Sequence, residues 1–159
     1  MIVIQAYAKG LSGVRCANPD VRLSVERDPV LGDDAVLMVT YPASTGRPAE
    51  RDVWCDAENR DWSSGSGISF QVKPDQPVRL SVSFLGANGV AYTAWSNLVG
   101  GRWQAVEIPF AQIKPNPFFQ LPGANKDAPL DVSDVKQIGF APQVKESGRM
   151  FVSKLIVVS

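Results

Sequence analysis

Between Asp61 and Phe140 the chain passes through short stretches of alternating apolar and polar residues, separated by turn signals. Val78, Leu80, Val82 and Phe84 alternate with Arg79, Ser81 and Ser83. Asn88-Gly89 follows, a pair that tolerates the positive φ of a tight hairpin, and then the run from Val90 to Trp95. Gly100-Gly101 precede Trp103 to Phe110, and Val135 to Phe140 closes the stretch. Successive side chains on a strand point to opposite faces, so each run predicts a strand with one face in a core.

The rest of the chain extends the pattern. Val21, Leu23 and Val25 alternate with Arg22, Ser24 and Glu26, and Ile68, Phe70 and Val72 alternate with Ser69 and Gln71. Ala35 to Tyr41 is apolar on both faces and predicts a central strand. Asp52 to Asp56 predicts a short strand, with Val53 and Cys55 on one face and Asp52, Trp54 and Asp56 on the other. Ile2 to Ala8 suits an edge strand, and Met150 to Val158 a final apolar one. Lys9 to Asp20 is irregular. Lys114 to Pro129, with four prolines and no alternation, predicts a long loop. Asp131 to Asp134 suits one helical turn capped by Asp131 or Ser133. Many short strands without a competing helical period give an all-β fold, a β-sandwich of two antiparallel sheets.

Composition narrows the chemistry. The 159 residues suit one domain, 1–159, with a sizeable core. Sixteen basic and sixteen acidic residues balance, so no basic stripe points to nucleic acid. The apolar runs are too short to cross a bilayer, and no membrane partner is expected. Met1 to Gln5 lacks the basic start and cleavage site of a leader segment. Histidine is absent, which removes the commonest general base and metal ligand. Cys16 and Cys55 cannot build a zinc site alone. A bridge between them would close a loop of about 40 residues, worth roughly 4 kcal/mol, but two free thiols are the expectation. Ser63-Ser64-Gly65-Ser66-Gly67 is not a nucleophile elbow, and no phosphate-cradling glycine loop occurs.

Four phrases in order resemble the galactose-binding-like jelly rolls: DWSSGSGISFQVK from Asp61, GRWQAVEIPFAQI from Gly101, LDVSDVKQIGFAP from Leu130 and GRMFVSKLIVV from Gly148. They are most similar to the family 11 carbohydrate-binding modules and to the related domain of the mitochondrial complex I assembly factor. The resemblance implies a jelly-roll β-sandwich (galactose-binding-domain-like) with one concave sheet. It also implies non-catalytic binding of a polysaccharide or oligosaccharide, through aromatic stacking and hydrogen bonds. A pyranose has an apolar C–H face that packs on a ring, while its equatorial hydroxyls bond carboxylates, amides and Arg. A covalently linked catalytic domain is the implied companion, and an extracellular or periplasmic site is favoured if sugar is the ligand. Members of the family often carry an acidic pair in the last strand that helps hold a structural calcium. Here Ser153 and Lys154 stand at those positions, so no cofactor is expected.

The candidate ligand-binding residues are Asp52, Trp54, Asp56, Arg79, Tyr92, Trp95 and Gln143. Trp54 between two carboxylates makes a sugar platform, or alternatively packs under the long loop. Arg79 faces away from the core side of its strand. Tyr92 and Trp95 have opposite parity, so one of them belongs to the core unless a bulge intervenes. Gln143 stands at the end of its run as a rim contact. Trp62 and Trp103 are read as packing residues. Phe118-Phe119 either staples the long loop or forms an exposed recognition patch. No catalytic residue and no metal ligand is assigned. The competing function is a protein-docking or assembly domain of the same fold; a glycoside hydrolase is the weaker third.

Overall fold

The computed structural model describes residues 1–159. Thirteen strands follow in chain order: β1 (Ile2–Gln5), β2 (Val14–Arg15), β3 (Arg22–Arg27), β4 (Ala35–Tyr41), β5 (Val53–Asp56), β6 (Gly67–Pro74), β7 (Val78–Gly86), β8 (Ala91–Leu98), β9 (Gln104–Pro109), β10 (Lys114–Pro115), β11 (Val135–Gln143), β12 (Gly148–Val152) and β13 (Leu155–Val158). Single 3-10 turns occupy Pro29–Leu31 and Phe110–Gln112.

The strands form two antiparallel sheets. The six-stranded sheet runs β10-β8-β7-β11-β5-β2. The seven-stranded sheet runs β1-β13-β6-β12-β4-β3, with β9 on the other side of β6. This is the sandwich that the alternation predicts. Val78, Leu80, Val82 and Phe84 are all buried and meet Phe70, Val72, Met150 and Val152 in one apolar cluster. At Asn88-Gly89 the chain reverses with Gly89 at φ 78, and the Gly89 N–H donates to Gly86 O at 3.1 Å. That turn fixes the β7–β8 register, with Phe84 opposite Tyr92 and Ser81 opposite Trp95.

Several expectations change in detail. The final apolar run is two strands, broken at Ser153-Lys154, where the Ser153 hydroxyl accepts from the Gln71 N–H at 2.7 Å. Asp131–Asp134 is a turn rather than a helix, because the Asp131 carboxylate takes both the Ser133 N–H and hydroxyl at 3.0 and 2.6 Å. The irregular segment before Asp20 contains β2, and the proline-rich loop begins with β10. Both are two-residue strands, too short to alternate. Both thiols are free, with Cys55 in the core and Cys16 half-buried.

The two loops that flank the six-stranded sheet are internally tied. In the first, Glu50 accepts from the Ser44 hydroxyl at 2.8 Å, from the Thr45 N–H at 2.8 Å and from the Thr45 hydroxyl. These bonds hold its carboxyl down at about 2. In the second, the Asn116 carbonyl oxygen accepts from the N–H groups of Phe118 and Phe119 at 2.8 and 3.2 Å. The Gln120 amide bonds both the N–H and the C=O of Ala91, at 3.0 and 2.7 Å. Phe118 does not act as a staple, because polar groups hold the loop and leave that ring 85% exposed.

Candidate functional site

Alternation puts one set of β5, β7, β8 and β11 side chains into the core and the other set on the outer face of the six-stranded sheet. Cross-strand register then decides which outer residues meet. One row reads Lys114, Thr93, Ser83, Gly139, Trp54 and Arg15 across β10, β8, β7, β11, β5 and β2. The neighbouring row carries Trp95, Ser81 and Ala141, and the next carries Asn97, Arg79 and Gln143. Six of the seven candidate residues therefore share this face or its rim: Asp52, Trp54, Asp56, Arg79, Trp95 and Gln143.

Tyr92 is the correction. It stands opposite Phe84 and is fully buried, with its hydroxyl donating to Ala128 O at 2.8 Å. Parity required one of Tyr92 and Trp95 to turn inward, and register selects Tyr92. A ring in that position cannot meet a ligand without unpacking the core.

Trp54 lies on the sheet itself. A Cβ built on Gly139 would come within 2.9 Å of both Cδ2 and Cε3 and 3.1 Å of Cε2, so the indole rests by its face on the β11 backbone where glycine leaves room. Gly139→Ala is expected to lift the ring, weakening any stacking ligand several-fold while costing about 1 kcal/mol of stability. Isothermal titration beside thermal melts checks both numbers.

Trp95, 39% exposed, carries the Arg79 guanidinium over its ring at 4.3 Å from the centroid. Such a contact fixes both side chains. The floor between the two tryptophans is low, formed by Ser81, Ser83, Thr93, Gly139 and Ala141. Three strand intervals separate β5 from β8, or about 14 Å at the usual strand spacing.

The carboxylates differ. Asp56 is engaged: its Oδ1 takes the Arg15 guanidinium at 2.9 Å and the Gln137 amide at 3.1 Å. Asp52 is half-buried; its N–H donates to Ala49 O at 3.3 Å while its carboxylate bonds no protein group, and burial raises its pKa above the ordinary carboxylate value. It lines a hollow of about 270 Å³ between the Ser44–Arg51 loop and the end of β11 at Ala141, Pro142 and Gln143.

Arg51 builds that hollow. It is 7% exposed, and its guanidinium donates to Pro142 O at 3.1 Å, to Pro42 O and Glu146 O at 3.4 Å each, and to Val144 O. The Tyr41 ring lies 5.4 Å from it. One cation thus ties the loop before Asp52 to the backbone on both sides of Gln143.

Sequence reasoning missed Arg15, Arg51, Gly139 and Gln137. The only signal for Gly139 was a glycine inside a strand pattern, which often marks close approach by another group.

The sequence model of a carbohydrate binding domain, family 11, matches residues 19–156. The chain belongs to that family. Solved structures agree with this family 11 assignment at the level of fold. A family 11 carbohydrate-binding module from Clostridium thermocellum, in complex with a β-1,3-1,4-mixed-linked tetrasaccharide, superposes with TM-score 0.75 at 19% identity. The match covers 99% of this family 11 domain and 95% of that chain. A family 30 carbohydrate-binding module of a Clostridium thermocellum cellulosomal cellulase gives 0.60 at 14% identity, covering 99% and 93%. An exo-β-agarase gives 0.69 at 12% identity, with all of this domain matched to 26% of that chain. No curated protein sequence matches this family 11 domain.

Proposed function

We propose that the outer face of the six-stranded sheet binds a polysaccharide chain without catalysing its cleavage. The observation that carries this reading is the Trp54 indole lying face-down on Gly139 in the middle of that face. A half-buried ring flat on a sheet offers the platform that the C–H face of a pyranose needs. Trp95 supplies a second ring across the strands. With about 14 Å between them, the pair suits an oligosaccharide of several residues lying across the strands rather than a single sugar.

The carboxylates support binding over hydrolysis. Asp52 and Asp56 stand four residues apart, about 13 Å along β5, whereas glycosidase pairs lie about 5–9.5 Å apart. Asp56 is also committed to Arg15. A catalytic domain joined to this one is part of the proposal, since the exo-β-agarase carries this fold as about a quarter of its length.

No structural calcium enters this reading. At the two positions matching the family's acidic pair, Lys154 places its ammonium 3.2 Å from Asp34, and the Ser153 hydroxyl already accepts from a backbone N–H. A calcium ion needs several hard oxygens without a neighbouring cation, and this donor set does not fit it.

Affinity electrophoresis tests the function. Gels containing mixed-linked β-1,3-1,4-glucan, xyloglucan or agarose should retard the protein in at least one case. Migration as in a blank gel with every neutral polysaccharide would remove the reading.

One observation favours a docking role as a second reading. Phe118, Phe119 and Leu121 are 85%, 58% and 49% exposed on a loop already held rigid. Replacing both phenylalanines by serine should leave gel retardation intact if the loop serves another partner.

A further inference from the structure

β3 ends the seven-stranded sheet, paired with β4 on one side and with no strand on the other. None of its six residues is buried, and outside the β4 ladder the main chain from Arg22 to Arg27 makes no hydrogen bond. A regular strand left open in this way is a template for another strand. The other strands at the sheet margins are blunted. β1 is bulged between Val3 and Gln5, and its Val3 and Ile4 carbonyls accept from the Asn59 amide and the Glu58 N–H at 2.6 and 2.8 Å. β2 and β10 have two residues each. β9 ends at Pro109 and carries one charge, Glu107, which a second β9 could not neutralise.

The β3 side chains are arranged for a copy of themselves. Leu23 and Val25 pack against the core, so Arg22, Ser24 and Glu26 stand on the outer face. Arg22 and Glu26 are exposed, and neither belongs to any of the four ion pairs of the chain. Four positions apart on one extended strand, about 13 Å, they cannot neutralise each other. A two-fold axis normal to the sheet makes two β3 strands antiparallel, and facing residues must then point to the same side. Only registers centred on a residue meet that condition. Centring on Ser24 sets Arg22 against Glu26 of the second copy, and Glu26 against Arg22 of that copy. It also sets Leu23 of the second copy against Val25, at the mouth of a hollow of about 600 Å³ that Tyr7, Ala8, Gly10 and Val25 help to line. Centring one residue either way breaks both Arg22–Glu26 pairs, since Glu26 then faces Ser24 or lies beyond the strand.

We propose that β3 pairs with β3 of a second copy of this chain, antiparallel about Ser24, with two Arg22–Glu26 ion pairs across the axis. The two seven-stranded sheets then run on as one. Because the axis is normal to that sheet, both six-stranded sheets lie on the same side of it and turn their outer faces the same way. Two ligand faces directed alike can grip one polysaccharide, and linked sites gain avidity without any new contact. The pairing stands on the strand alone; its bivalency rests on the outer face being the polysaccharide-binding surface. A single strand pair buries less area than a standard interface, so the association is reversible and concentration-dependent.

Sedimentation equilibrium of the whole chain at low salt tests the pairing. The wild type should pass from monomer towards dimer between micromolar and millimolar concentrations. Arg22→Glu and Glu26→Arg, which place like charges across the axis, should each weaken dimerisation at least about tenfold. The double variant Arg22→Glu/Glu26→Arg should recover the wild-type constant, and all four proteins should melt alike because both side chains are solvated. A wild type that stays monomeric throughout overturns the proposal. So does a dimer that neither single variant weakens, or one that the double variant fails to restore. On a mixed-linked β-1,3-1,4-glucan gel, loaded where the wild type is dimeric, the wild type should be retained more strongly than Glu26→Arg. Equal retention overturns the bivalency and leaves the pairing standing.

Discussion

Trp54→Ala is expected to cut affinity for the polysaccharide by at least about 30-fold, the size of effect seen when an anchoring aromatic is truncated at a binding hot spot. Stability should hardly move. The ring lies outside the sandwich, on the β11 backbone, and the apolar cluster between the sheets does not include it. Removing a half-buried surface ring costs about 1 kcal/mol, a shift of about 2–4 °C for a domain of this size. The contrast is the test, made by running affinity electrophoresis and thermal melts on the same preparation. Trp54→Tyr should recover part of the affinity, because a smaller ring still offers a flat face. A variant that melts many degrees lower yet migrates like wild type would mark Trp54 as a packing residue and move the platform elsewhere.

Arg51→Ala should show the converse. Its guanidinium is buried against Tyr41 and serves carbonyls of Pro42, Pro142, Val144 and Glu146. Truncation strands several acceptors and opens a cavity, so a loss on the order of 3 kcal/mol is expected. That corresponds to a fall in Tm of about 6–12 °C. Arg51→Lys should restore only a fraction, because one ammonium cannot span carbonyls that a planar fork reaches from two edges. Circular dichroism melts give the order wild type, lysine, alanine. An alanine variant as stable as wild type would show that the loops hold their course without the clamp.

Strand parity explains what the chain discloses about itself. Asp52, Trp54 and Asp56 had to share a face because each stands two positions from the next, with one residue between, whatever the sheet did. Parity also demanded that Tyr92 and Trp95 part company, but only the β7–β8 register says which goes inside, and that register depends on a turn geometry shared by the whole hairpin. Local patterning is silent where partners are distant. The carbonyls that Arg51 serves on the β11 side lie more than 90 residues away in sequence. Nothing around Arg51 distinguishes it from the exposed Arg47. Arg15 escaped for a different reason: β2 is two residues long, and two residues show no period. In the proline-rich loop, the staple reading assumed that aromatic rings hold loops down. Here Asn116 and Gln120 do so through backbone hydrogen bonds, which composition does not reveal.

Two indoles mounted on β5 and β8, with β11 and β7 between them, make the distance between rings a property of the sheet's twist. A stiff guest touching both would act as a splint, stitching four strands at once and damping their breathing. Occupancy should then be felt as slower amide exchange in the two middle strands, which carry neither indole.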